Sequence, residues 1–150
     1  MIKLKTFGSF TVGNGLTSVQ EGAWRSEKLE KLFVYLAMNR NRGVCIEDIS
    51  EAIWQVEEET DNPVGALKNL AYRLRKALRD ASFGEECIVS VRGGLYKWND
   101  DVEVTIDVEE FDRYINEAEM AFCRSKETAI ESYEKAIALY HGDFLPLRTD

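Results

Sequence analysis

Apolar and polar residues alternate through Ile2-Lys3-Leu4-Lys5-Thr6-Phe7, the period of a strand with one buried face. Phe10 to Val12 continues in the same way until Gly13-Asn14-Gly15, whose Asn-Gly pair favours a tight hairpin turn. A small antiparallel sheet is therefore expected at the start. The period then changes: Leu29, Leu32, Phe33 and Leu36 recur at i, i+3, i+4 and i+7 behind a capping Ser26, and Asn39 to Gly43 break the pattern. This predicts a first helix. Ile46 to Trp54 predicts a shorter second one, with Ile46, Ile49, Ile53 and Trp54 facing inward, and the acidic run Glu57-Glu58-Glu59-Thr60-Asp61 follows as a loop. Asn62-Pro63 starts a third helix, since Asn caps free N–H groups and Pro lacks only an N–H that the first turn leaves unbonded. That helix is expected to run to about Ser82. Cys87 to Val91, Arg92-Gly93-Gly94 and Leu95 to Trp98 then read as strand, tight turn and strand.

Beyond Asp100-Asp101 the pattern is helical. Asp107 and Glu110 have capping-box spacing, and Phe111, Tyr114, Ile115, Ala118 and Phe122 form an apolar side. Ser125 can cap a further helix whose inner stripe is Ile130, Tyr133, Ala136, Ile137 and Tyr140, with Gly142 as its stop. The two should form an antiparallel helical hairpin. A chain of 150 residues can bury a core as one domain or two small ones.

The net charge of −8 argues against a nucleic-acid partner until its distribution is examined. Through Asn99 there are fourteen basic against thirteen acidic residues, whereas from Asp100 onward there are five against fourteen. Within Asn62 to Asn99 the balance is seven basic (Lys68, Arg73, Arg75, Lys76, Arg79, Arg92, Lys97) to three acidic (Asp80, Glu85, Glu86). Such asymmetry predicts two modules with different roles. Cys45, Cys87 and Cys123 lie far apart with no CxxC or Cys/His spacing, so neither a disulfide framework nor a metal site is expected. No apolar run approaches a membrane span, and the alternating start is unlike a signal peptide, so the expected location is cytoplasmic.

At about 100° per residue, with Lys68 at zero, Arg75, Arg79, Tyr72, Lys76, Asn69 and Arg73 fall between roughly −20° and 140° on the third helix. Leu67, Leu70, Ala71, Leu74, Leu78, Ala66 and Ala77 occupy the remaining side. A helix so divided can lie in a major groove, its Arg and Lys meeting phosphates or guanine edges and its Asn an adenine. Tyr72 can bond a phosphate or stack on sugar and thymine methyl. Cationic faces also serve mere solubility, which the helix alone leaves open. The adjoining hairpin, with Arg92 at its tip and Lys97 on its return strand, favours a winged helix, in which the wing reaches backbone or minor groove.

Trp24-Arg25-Ser26-Glu27-Lys28 leading into Leu32-Phe33-Val34-Tyr35-Leu36, then Ile53-Trp54, Ala66-Leu67-Lys68-Asn69-Leu70, Leu74-Arg75-Lys76-Ala77-Leu78 and Gly94-Leu95-Tyr96 resemble the OmpR-type winged helix of SARP-like (Streptomyces antibiotic regulatory protein) activators and related response regulators. Val104 to Phe111 and Ala138 to Pro146 resemble the start of that family's bacterial transcriptional activator domain, and Ala129 to Ala136 fits a helix of its tetratricopeptide-like repeat. The fold implied is α+β. A winged helix-turn-helix of a small antiparallel sheet, three helices and a β-hairpin wing fills residues 1–99, and an α-helical hairpin, the first pair of a truncated repeat domain, fills 104–150.

The resemblance implies a sequence-specific regulator, an activator, that binds double-stranded DNA as a homodimer on repeated half-sites and contacts RNA polymerase. It makes Lys68, Asn69, Tyr72, Arg73 and Lys76 groove or phosphate contacts, Arg92 the wing contact and Arg25 a phosphate contact at the first helix's N-terminus. Glu57 to Asp61 would face polymerase.

No catalytic, cofactor or metal site is expected. His141 is the only histidine and adjoins a helix-ending glycine, and Gly13-Asn14-Gly15 and Gly93-Gly94 do not lead into helices as phosphate loops do. Asp107, Glu109, Glu110 and Asp112 read as a solvated first turn complementing a helix dipole. The rival reading is a winged-helix scaffold without DNA binding, because a fold does not fix a function.

Overall fold

A computed structural model describes residues 1–53, 63–81, 83 and 87–145. Trp54, the run Glu57 to Asp61, Asn62, Ser82 and Pro146 lie outside them. In strand β1 (Ile2–Lys5) the alternation buries Ile2 and Leu4 and exposes Lys3 and Lys5. Strands β2 (Thr11–Gly13) and β3 (Ser18–Gln20) follow antiparallel, with Leu4 opposite Val12 and Val12 opposite Val19. Asn14 shapes the turn between them by accepting the N–H groups of Leu16 and Thr17 at 2.9 and 2.8 Å.

Helix α1 (Glu27–Met38) starts where Ser26 Oγ accepts the Leu29 N–H at 3.3 Å, and it buries Leu29, Leu32, Phe33 and Leu36 as their spacing predicts. Helix α2 (Ile46–Ile53) buries Ile49 and Ile53. Helix α3 (Pro63–Asp80) packs on both. Strands β4 (Ile88–Val91) and β5 (Leu95–Trp98) then form the hairpin. Trp24, Phe33, Phe10 and Trp98 join these layers: ring centroids lie 5.4 Å apart for Phe10–Trp24, 5.7 Å for Trp24–Phe33 and 5.3 Å for Phe33–Trp98. The Trp98 indole N–H, buried with its ring, donates to the Val102 carbonyl at 2.8 Å.

The chain then does something its pattern did not predict. Val104–Ile106 is strand β6, which pairs parallel with β1 and completes a sheet of order β3-β2-β1-β6. The segment that resembles the start of a second module is thus a strand of the N-terminal sheet. Helices α4 (Asp107–Ala121) and α5 (Lys126–Leu139) follow and pack on each other, and Ser125 Oγ caps α5 by accepting the Thr128 N–H at 3.3 Å.

Several side chains of this pair depart from expectation. The capping box does not form: Ile106 occupies the cap position and Asp107 is the first helical residue. Its carboxylate is buried, not solvated, and accepts the N–H groups of Thr6 (2.9 and 2.8 Å), Phe7 (2.9 Å) and Val108 (2.9 Å) and the Thr6 hydroxyl (2.7 Å). On α5, Ala129, Ser132 and Ala136 are buried, while Ile130, Ile137 and Tyr140 stay at least half exposed, as does Phe122. The contact stripe is rotated from the one predicted because small residues let α5 approach α4 closely, leaving the bulkier side chains outside.

The junction is tight. Arg40 makes a two-pronged ion pair with Glu109 at 2.9 and 2.7 Å, and this hydrogen bonding, with the charge attraction, holds the guanidinium above its usual pKa despite partial burial. The Phe7 ring meets Phe111 at 5.5 Å and Tyr140 at 5.3 Å. Gly8 sits at φ +80°, where a Cβ would lie 2.5 Å from the His141 carbonyl oxygen. The N-terminal sheet and the helical pair are therefore held through backbone as well as side chains.

Candidate nucleic-acid interface

Helix α3 sorts its residues by period. Leu67, Leu70, Ala71, Leu74 and Leu78 are buried at 4% exposure or less. Lys68, Asn69, Tyr72, Arg73, Lys76 and Arg79 are exposed. Lys68, Tyr72 and Lys76 follow each other at i+4 spacing, so the Tyr72 ring, 62% exposed, stands between two ammonium groups on one ridge.

Among the described residues none of Lys68, Arg73, Lys76, Arg79, Arg92 and Arg25 is in an ion pair. Their charge is directed at solvent, which is what an electrostatic footprint for phosphates requires. Val64, 43% exposed on the first turn, joins this face, an apolar position that the pattern of polar residues alone does not pick out. An exposed apolar side chain on the leading turn is the signal that identifies it, since such a group fits a thymine methyl.

Two cations predicted for this surface are otherwise engaged. Lys97 Nζ pairs with Asp100 at 2.5 Å, so it serves the hairpin's own exit. Arg75 is half-buried, with its guanidinium 6.0 Å from the centre of the Tyr96 ring and Nη2 donating to Ser90 Oγ at 3.2 Å. Periodicity placed Arg75 correctly in angle but not in contact, and the return strand carries Lys97 as expected but turns its charge to Asp100.

The hairpin stands beside α3. Its strands pair from Ile88↔Trp98 to Val91↔Leu95, and the turn between holds Arg92, Gly93 and Gly94. Gly93 and Gly94 have φ of +82° and +73°, the left-handed region that other residues enter at a cost of about 1 kcal/mol or more. That pair of glycines leaves Arg92 exposed at the tip. Along its outer edge, Val44 and Tyr96 exchange main-chain hydrogen bonds of 2.7 and 3.0 Å, joining β5 to the segment between α1 and α2. Lys68, Asn69, Tyr72, Arg73 and Lys76 are thus gathered on one helix, with Arg92 on the hairpin bound to it. Arg25 is separate: exposed at φ 56° just before the Ser26 cap, it has no hydrogen bond or ion pair to α3 or the hairpin among the described residues.

Residues 21–98 match the model of the family described as transcriptional regulatory protein, C terminal, which is more than half of the chain. Among solved structures the fold is similar to Mycobacterium tuberculosis EmbR in complex with a low affinity phosphopeptide, with a TM-score of 0.74 at 20% identity over 96% of this chain. The chain spans 37% of EmbR's length. No curated protein matches it. No helix among the described residues is long and apolar enough to cross a membrane. Helix, hairpin and family model agree with the OmpR-type, SARP-like resemblance carried by the residues. This chain belongs to the transcriptional regulatory protein C-terminal family, DNA-binding winged-helix regulators of transcription.

Proposed function

We propose that the chain recognises specific duplex sequences by laying α3 in the major groove, with Lys68, Asn69, Tyr72, Arg73 and Lys76 facing bases and phosphates. Arg92 then meets backbone or minor groove, and Arg25 a flanking phosphate. The observation that carries this is the division of α3 into a buried leucine side and an exposed side whose Lys68, Arg73, Lys76 and Arg79 have no ion-pair partner among the described residues. A helix entering the groove by its N-terminal turns offers Val64, Lys68 and Asn69 to base edges first. The protein acts in the cytoplasm as an activator, binding repeated half-sites as a homodimer and contacting RNA polymerase.

Selection of bound fragments from random or genomic duplex, read by sequencing, tests this and yields half-site and spacing together. Affinity should fall steeply with salt, and Arg92→Ala should lessen the log–log slope by about one. Failure to retain any duplex at low salt refutes it and favours the scaffold reading. In that case partner capture would survive charge reversal at Lys68 and Lys76.

A further inference from the structure

Resting on the DNA-binding reading, we propose that Arg75 is a positioning residue: it clamps the wing to the recognition helix and so sets where Arg92 meets DNA, without touching DNA itself. Helical spacing puts Arg75 on the cationic face, at its edge and about 20° from Lys68, seven residues beyond it. The folded chain gives it another task. Its Nη2 donates to Ser90 Oγ at 3.2 Å and its guanidinium lies over the Tyr96 ring at 6.0 Å. Ser90 and Tyr96 are register partners on β4 and β5. One side chain therefore engages both strands at a single rung, one pair before the turn.

That placement has a mechanical consequence. Through Tyr96 the hairpin is already joined along one edge to Val44, by main-chain hydrogen bonds. A hairpin held along one edge can still roll about it. A second attachment off that edge, to a different element, removes the roll. β4, which leads into Arg92, lies about 4.8 Å from the held strand β5, so a roll of about 20° about that edge moves it by about 1.7 Å and breaks any hydrogen bond that Arg92 makes. Arginine suits the task because its planar fork can stack on a ring and donate in its own plane at once, which a lysine ammonium cannot do.

The test is a double-mutant cycle on the selected duplex, with Arg75→Met, Arg92→Ala and both. If Arg75 acts through the wing, Arg75→Met weakens binding about as much as Arg92→Ala, roughly tenfold, and changes it less than about twofold once Arg92 is gone. The log–log salt slope should likewise drop by about one in the first background and not in the second. Hydroxyl-radical protection should fade under the wing while persisting under α3. Ser90→Ala, an exposed change, should give the same pattern in weaker form, and Arg75→Lys should restore only part of the loss. Additive effects, or a slope change in both backgrounds, overturn the proposal by making Arg75 a direct DNA contact.

Hydrogen exchange on the free protein separates this failure from failure of the DNA reading. Arg75→Met should speed exchange in β4 and β5 and leave α1 unchanged. Unaltered wing exchange overturns the clamp whether or not DNA binds. Faster wing exchange with no duplex binding overturns the DNA role and leaves a clamp without the function proposed for it.

Discussion

Replacing Asp107 by Ala should be among the most destabilising single changes in this chain, although the residue lies far from the cationic face. Its carboxylate accepts from the main-chain N–H groups of Thr6 and Phe7, from the Thr6 hydroxyl and from the Val108 N–H. Thr6 is 0% and Phe7 9% exposed, so two amides are left without an acceptor where water does not reach. Each stranded donor costs about 1–3 kcal/mol. The hydroxyl can rotate to another acceptor, and the Val108 amide, half-buried at a helix start, has access to solvent. The loss comes to about 2–6 kcal/mol, a large part of the roughly 5–15 kcal/mol available to a domain. Urea titration should show the midpoint falling at unchanged slope, and Tm should drop by about 10 °C. Asp107→Asn should recover only part of this, since its NH2 group faces donors where an oxygen stood. Salt dependence of DNA binding, measured where both proteins are folded, should not change. An Asp107→Ala protein within about 0.5 kcal/mol of the parent would refute the reasoning, because it would mean that these donors find other partners.

Gly8→Ala combines a left-handed backbone with a Cβ placed 2.5 Å from the His141 carbonyl oxygen, and it should cost about 2–4 kcal/mol by urea titration while leaving the wing's hydrogen exchange intact. Trp98→Phe keeps the ring contact with Phe33 but leaves the Val102 carbonyl without its donor; about 1–3 kcal/mol should be lost, read from the denaturation midpoint. Arg40→Gln should cost no more than about 1 kcal/mol, because the pair with Glu109 is more than a third exposed on both sides. Glu109 raises the Arg40 pKa, so the arginine's share is complete below its ordinary value and is lost only as pH rises through the still higher folded one. The difference between parent and Arg40→Gln should therefore not decline from neutral to moderately alkaline pH, and a decline there would contradict the assignment to this pair.

What the chain settles by itself is whatever depends on near neighbours. Ser26 caps α1 because a hydroxyl beside the first turn meets the Leu29 amide in almost any context. The two faces of α3 follow from leucines and cations repeating at helical spacing, and Gly93-Gly94 forces the turn that exposes Arg92. The family resemblance was readable for the same reason, being carried by short ordered stretches of such residues.

Tertiary structure decided the rest. β6 is three residues long, too short for alternation to register, and it becomes a strand only because β1 lies beside it about a hundred positions away in sequence. Asp107 looked like a solvated helix start until Thr6 and Phe7 turned their donors toward it. Arg75 and Lys97 were counted among the exposed cations, and only the approach of Tyr96 with Ser90, and of Asp100, withdrew them. Ile130 and Ile137 kept their angular positions, but the small side chains of Ala129, Ser132 and Ala136 determined which side of α5 met α4. Periodicity fixes the direction in which a side chain leaves its element, whereas its function depends on what stands in that direction. That second quantity is set by contacts between residues distant in sequence.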